Sequence, residues 1–140
     1  MKKERLEEFN EWWFTGKVPE DLLQKYKRAL YHRLVDSLNK RQIVSIVGLR
    51  RTGKTTLIFQ LMQKLLEDGV PRDNILYFNF DEYAENLDEL FDAYREVQKK
   101  DLRTEKVYVF LDEIQKLSNW TNQIKKYYDM YPKIKFLVSG

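Results

Sequence analysis

The sequence predicts an α/β fold: three layers, α/β/α, around a parallel sheet, preceded by helices at the N-terminus. Three observations carry that expectation. Apolar runs near 43–48, 75–80, 107–111 and 134–138 alternate with stretches of helical period, the pattern of strands joined by crossover helices. Val107-Tyr108-Val109-Phe110-Leu111 is apolar almost throughout, as a central strand buried on both faces should be. The first run also leads through a loop bounded by Gly48 and Gly53 directly into a helix.

Composition sets the limits. At 140 residues, with 43% hydrophobic and 34% charged, the chain suits one globular domain with a real core. A net charge of +3 is too mild to indicate nucleic acid by itself. There is no cysteine, so disulfides and thiolate metal sites are excluded, and the lone histidine, His32, excludes a multi-histidine centre. His32 reads as structural or solvated. No apolar run approaches membrane-spanning length, and the charged start Met1-Lys2-Lys3-Glu4-Arg5 is followed by no signal-type apolar core. The expected setting is cytoplasmic, without a membrane.

Taken in order, residues 4–15 predict one short helix, with Leu6, Phe9 and Trp13 on a face. Trp12 and Trp13 read as a hydrophobic lid over the domain in preference to a partner site. Pro19, beside Glu20 and Asp21, opens a second helix. Leu22, Tyr26, Leu30, Leu34 and Leu38 recur every four residues and predict that it runs to about Asn39. Its other face carries Lys25, Lys27, Arg28 and Arg33, read as solvated.

Gly48-Leu49-Arg50-Arg51-Thr52-Gly53-Lys54-Thr55-Thr56 fits the pattern G-x-x-x-x-G-K-[ST], the P-loop or Walker A motif. A run of backbone N–H groups opening onto a helix N-terminus makes a nest for phosphates. In such a loop Lys54 reaches the β- and γ-phosphates of a nucleotide and the Thr55 hydroxyl ligates Mg²⁺. The plain alternative is a glycine-punctuated turn with two solvated arginines. Leu57, Ile58, Leu61, Met62, Leu65 and Leu66 then form a helical stripe that should stop at Gly69, with Pro71 just beyond.

Ile75 to Phe80 predicts the second strand, and Asp81, Glu82 and Glu85 cluster at its carboxyl end, where α/β sheets bind ligands. Those acids read equally well as a surface loop. Asn86 and Glu89 have the spacing of a capping box for a helix bearing Leu87, Leu90, Phe91, Tyr94 and Val97. The third strand ends abruptly in Asp112-Glu113. Two acids after a buried strand are costly unless they have partners or work. In a Mg²⁺-nucleotide site Asp112 can hold the ion, and Glu113 can orient or deprotonate an attacking water. Ser118 is the expected N-cap of a helix with Trp120, Ile124, Tyr127, Tyr128 and Tyr131, and Ile134, Phe136, Leu137 and Val138 predict the fourth strand.

This order resembles the P-loop ATPases that place an additional strand between the P-loop strand and the Asp-Glu (Walker B) strand, the AAA superfamily among them. Gly48 to Thr56, Leu111-Asp112-Glu113-Ile114-Gln115 and Leu137-Val138-Ser139-Gly140 are similar to one AAA-like family of archaea and bacteria, usually continued by a C-terminal domain. The resemblance implies ATP and Mg²⁺ as ligands, Lys54 on the phosphates, Thr55 and Asp112 at the metal, and Glu113 as catalytic carboxylate. It puts Ser139 where a sensor residue meets the γ-phosphate or the water. Arg50 and Arg51 match its paired arginines, as loop-shaping or partner contacts. It implies the strand order 2-3-4-1 with a fifth strand beside the first.

That fifth strand, a second sensor, the helical lid and any arginine finger have no counterpart in this sequence. The expectation is therefore a helical extension, 1–39, and a truncated P-loop nucleotide-binding domain, 40–140. The edge of the strand at 43–48 should be covered by the N-terminal helices, a missing C-terminal domain or another chain. An oligomer is left open, and nucleic acid is not indicated. The leading reading is an ATPase module. The second is an ATP-binding switch or scaffold with negligible hydrolysis, and a small-molecule kinase is weaker because adjacent Asp112-Glu113 suits a water nucleophile better.

Overall fold

The computed structural model describes residues 1–47, 51–81 and 86–140. Its centre is a four-stranded parallel sheet of β1 (Val44–Ile46), β2 (Ile75–Asn79), β3 (Val107–Asp112) and β4 (Ile134–Ser139). Read across the sheet the order is β2-β3-β4-β1, as expected. The helices are α1 (Lys3–Phe9), α2 (Trp12–Thr15), α3 (Ala29–Ser37), α4 (Arg51–Glu67), α5 (Leu87–Gln98) and α6 (Trp120–Met130).

Side-chain alternation sorts the layers. Parallel register pairs Tyr77 with Phe110 and Phe110 with Leu137, so these three share one face. Phe59 of α4 packs on the Tyr77 ring at 4.9 Å, which puts α4 on that face. Val109 pairs with Phe136 and lies on the opposite face, where Phe91 of α5 meets both Phe136 and Tyr127 of α6. All six residues of β3 are buried, as its near-continuous apolar run requires of a strand covered on both sides. Lys135 is buried in β4, bonded through Nζ to the Gln42 carbonyl, and loss of solvent pushes its pKa down to about 8.

The ends of α4 and α5 follow local rules. Gly69 closes α4 at φ +93°, with Val70 N–H reaching Leu65 O and Gly69 N–H reaching Leu66 O, a Schellman pair. Asn86 caps α5, its side chain accepting the Glu89 N–H at 2.8 Å. The cap of α6 differs from expectation. Asn119, in the left-handed region at φ 56°, is the N-cap, while Ser118 only offers its carbonyl to Gln123 Nε2.

The N-terminal 39 residues depart most from their periodicity. The single helix expected over 4–15 breaks at Asn10, because the Asn10 side chain is needed elsewhere. Its Nδ2 donates to the carbonyls of Leu6 and Tyr77, and its Oδ1 accepts the Tyr77 N–H at 2.7 Å. It thus pairs with both backbone groups of Tyr77, as a neighbouring strand would. Trp12 and Trp13 both donate their indole N–H to Ile75 O, at 3.0 and 2.8 Å. The tryptophans are a buried lid, and the edge covered by the N-terminal helices is β2, not β1. Among the described residues no further strand pairs with β1.

The helix expected from Pro19 to Asn39 is likewise interrupted. A 3₁₀ turn at Glu20–Leu22 is followed by non-helical residues 23–28, and α3 begins only at Ala29. The reason lies in α4. Gln60 Nε2 donates to the carbonyls of Gln24 and Tyr26, both at 2.9 Å, and Gln63 Oε1 accepts the Val18 N–H. These bonds replace helical ones, and Tyr26 is left 78% exposed in place of joining a stripe. Replacing Asn10 by Ala strands three buried backbone groups, so the variant should lose about 3 kcal/mol of unfolding free energy. Urea unfolding checks this, and an unchanged midpoint would contradict the edge-pairing account.

Candidate nucleotide site

The carboxyl ends of β2, β3 and β4 meet the N-terminal turns of α4. The same alternation that puts Tyr77 on the α4 face puts Asn79 and Asp112 there too, and Ser139, paired with Ile46 of β1, stands one step beyond the last pair of β3 with β4. Asp112 is 1% exposed and accepts four hydrogen bonds. Its Oδ2 takes the Thr55 hydroxyl at 2.8 Å and the Tyr77 hydroxyl at 2.9 Å. Its Oδ1 takes the Ser139 hydroxyl at 2.5 Å and the Glu113 N–H at 3.1 Å. A buried carboxylate is tolerable only when its oxygens are met in this way.

The Tyr77 hydroxyl is held neutral as a donor. Burial first, then the adjacent Asp112 charge, push its pKa far above the ordinary phenol value. Glu113 leaves the strand at φ 53°, a left-handed conformation that a non-glycine residue adopts only when its surroundings impose it. Glu113 Oε2 accepts Gln115 Nε2 at 2.6 Å, and Gln115 Oε1 fills the space a Cβ on Gly140 would take. Gly140 N–H in turn bonds to Ile46 O at 3.3 Å, tying the end of β4 to the end of β1.

Gly53 and Lys54 are buried in the first turn of α4, which opens at Arg51 and Thr52. A cleft of about 450 Å³ is lined by Thr55, Thr56, Phe59, Asn79, Asp81 and Glu113, among others. Asp81 therefore borders the site, whereas Glu82 and Glu85 lie outside the described residues. So do Gly48, Leu49 and Arg50. Among the described residues no cluster of three His, Asp or Glu side chains could cage a metal ion, so any cation here would depend on hydroxyl, single-carboxylate and ligand oxygens.

The structure thus brings Thr55, Asp112 and Ser139 into direct contact, sets Glu113 beside them, and puts Gly53, Lys54 and Thr56 on the same helix end. Sequence reasoning missed Tyr77 and Gln115. Tyr77 carried no signal beyond an apolar strand, and only the register reveals that it faces Asp112. Gln115 sits in the Leu111 to Gln115 stretch that was singled out, yet its spacing gives no reason to aim it back at Glu113.

The family model for an AAA domain matches residues 40–140. The chain is 36% identical over 94 residues to the uncharacterized protein MJ1637 of Methanocaldococcus jannaschii, covering 65% of this chain and 20% of that one. It is 35% identical over 77 residues to an uncharacterized protein of Haemophilus influenzae, covering 54% and 19% respectively. The match spans about one fifth of the length of either relative. Among solved structures, C. elegans PCH-2 is similar with a TM-score of 0.54 and 19% identity, over 91% of this chain and 40% of that one, a likeness of fold.

Four donors on one buried carboxylate make a direct prediction. Tyr77→Phe removes one of them and should lower stability by about 2 kcal/mol, since hydrogen bonds to charged groups are the stronger kind. Chemical denaturation measures it, and an unshifted midpoint would mean that the Tyr77 hydroxyl does not hold Asp112.

Proposed function

The chain belongs to the AAA domain family, and from that membership we propose that it is the nucleotide-binding part of a Mg²⁺-dependent ATPase, converting ATP and water to ADP and phosphate. One observation carries the reading. The Thr55 hydroxyl, on the P-loop helix, is hydrogen-bonded to Asp112 at the end of the central strand, with Glu113 beside it and facing a cleft. In this reading residues 1–39 are a helical extension and 40–140 the nucleotide-binding domain, working in the cytoplasm. Among the described residues no helix is long and apolar enough to cross a membrane.

The parts take the following roles. Backbone N–H groups from Gly48 to Thr56 cradle the phosphates, and Lys54 neutralises charge on the β- and γ-phosphates. Thr55 and Asp112 are hard oxygen donors 2.8 Å apart, which suits Mg²⁺, an ion that would draw charge off the transferring phosphoryl group. Glu113 orients a water for in-line attack at the γ-phosphorus and accepts its proton as the new O–P bond forms and the bond to the β-phosphate oxygen breaks. Ser139, bonded to Asp112, is the sensor in this reading, its hydroxyl reporting the γ-phosphate. Arg50 and Arg51 shape the loop or contact a partner. In this reading β1 meets another chain or a C-terminal domain, and assembly into an oligomer would supply an arginine finger in trans.

A second reading is an ATP-binding switch that hydrolyses ATP negligibly. The 2.6 Å bond from Gln115 to Glu113 favours it, since a carboxylate already engaged is less free to take a proton. Glu113→Gln separates the two. The enzyme reading expects turnover to fall by at least a hundredfold with Mg²⁺-ATP affinity kept within about threefold. Steady-state phosphate release together with equilibrium binding measures both, and equal turnover in wild type and variant would leave the switch.

A further inference from the structure

The strongest feature outside the motif residues is the path of the non-helical segment 23–28. It runs along one face of α4. Gly53, Leu57 and Gln60 are spaced by four and three residues and so share that face, and together with Thr56 they border a cleft of about 360 Å³. The other wall is Gln24, Tyr26 and Arg28. Gln60 fixes the segment by donating to the carbonyls of Gln24 and Tyr26. At its end the Arg28 guanidinium lies against Gly53, in the space a Cβ there would occupy.

That is an unusual place for a cation. The N-terminal end of a helix carries partial positive charge and disfavours cations. Lys54 is already in that turn, 8% exposed. Among the described residues Arg28 forms no ion pair that would offset its charge, and the backbone of α3 holds it at the start of that helix. The Arg28 guanidinium and the N-terminal end of α4 meet at Gly53, and an anion between them would relieve their repulsion. A guanidinium also offers a planar fork of donors matched to phosphate oxygens.

We propose that Arg28 is a further phosphate-binding group of this site, contributed in cis by the segment ahead of the nucleotide-binding domain and acting alongside Lys54. The inference rests on the nucleotide reading above and extends it to a residue outside the stretch matched by the family model, 40–140. The cleft beside Arg28 then lies on the path of the same ligand, and segment 23–28 becomes a strap whose grip on α4 is reinforced by the phosphates it touches.

Binding of Mg²⁺-ATP and of inorganic tripolyphosphate, measured by calorimetry on the intact chain, tests this with wild type, Arg28→Gln, Arg28→Lys and Lys54→Ala. Arg28→Gln should weaken both ligands by at least tenfold, and Arg28→Lys should recover part of the loss. Arg28 is exposed, so its variants should unfold at the wild-type midpoint, which is measured alongside. Unchanged affinity in Arg28→Gln, with Lys54→Ala still impaired, overturns the inference and leaves the nucleotide reading standing. Loss of ATP affinity without loss of tripolyphosphate affinity also overturns it, because the contact would then be to the nucleoside. No binding of either ligand by wild type removes the nucleotide reading, and this inference with it.

Discussion

Asp112 is a charged group at the end of β3, a strand buried along its whole length, and its four hydrogen bonds organise the site around it. Each donor comes from a different structural unit: Thr55 from α4, Tyr77 from β2, Ser139 from β4 and the Glu113 amide from the turn that follows. Remove the carboxylate and these groups lose their common acceptor, while the P-loop helix loses its tie to the sheet. Parallel register is what makes the arrangement possible. It brings alternate residues of three strands to one face at one height, beneath the first turns of α4.

The N-terminal extension is built on the same sheet and serves both sides of it. Asn10, Trp12 and Trp13 saturate backbone groups on the free side of β2, protecting an edge that would otherwise invite pairing with another chain. Residues 23–28 then lie along α4 and end against Gly53 in its first turn. The extension therefore connects the far edge of the sheet to the helix end that carries Lys54. A ligand that pulls on Arg28 would act on the seating of the whole N-terminal segment, which links binding to the packing of about a quarter of the chain.

Much of this was legible in the residues. The β3 run, the glycine stop of α4 and the Asn86 cap followed from local chemistry, because burial on both faces and helix capping leave short-range signatures, whereas the strand order followed from the family resemblance alone. The broken N-terminal helices and the missed Tyr77 share one cause. Asn10, Gln60 and Tyr77 make bonds to groups 34 to 67 positions away, and no periodicity encodes such partners. The every-fourth-residue pattern from Leu22 to Leu38 was genuine, yet Gln60 supplied two of the backbone carbonyls with a better partner than the helix would have. Glu113 was visible as an acid, but its positive φ and its bond to Gln115 emerge only once β3 and β4 lie side by side.

The central claim is that the Lys54 turn and the Asp112 cluster form a working phosphate site. Thermal unfolding with and without Mg²⁺-ATP, in wild type and in Lys54→Ala, tests it most directly. A ligand that binds only the folded state adds about 2.7 kcal/mol at a hundredfold excess over its Kd. The account predicts a clear rise in Tm for wild type and none for Lys54→Ala. A wild type that gains nothing, or a variant that gains as much, would contradict it.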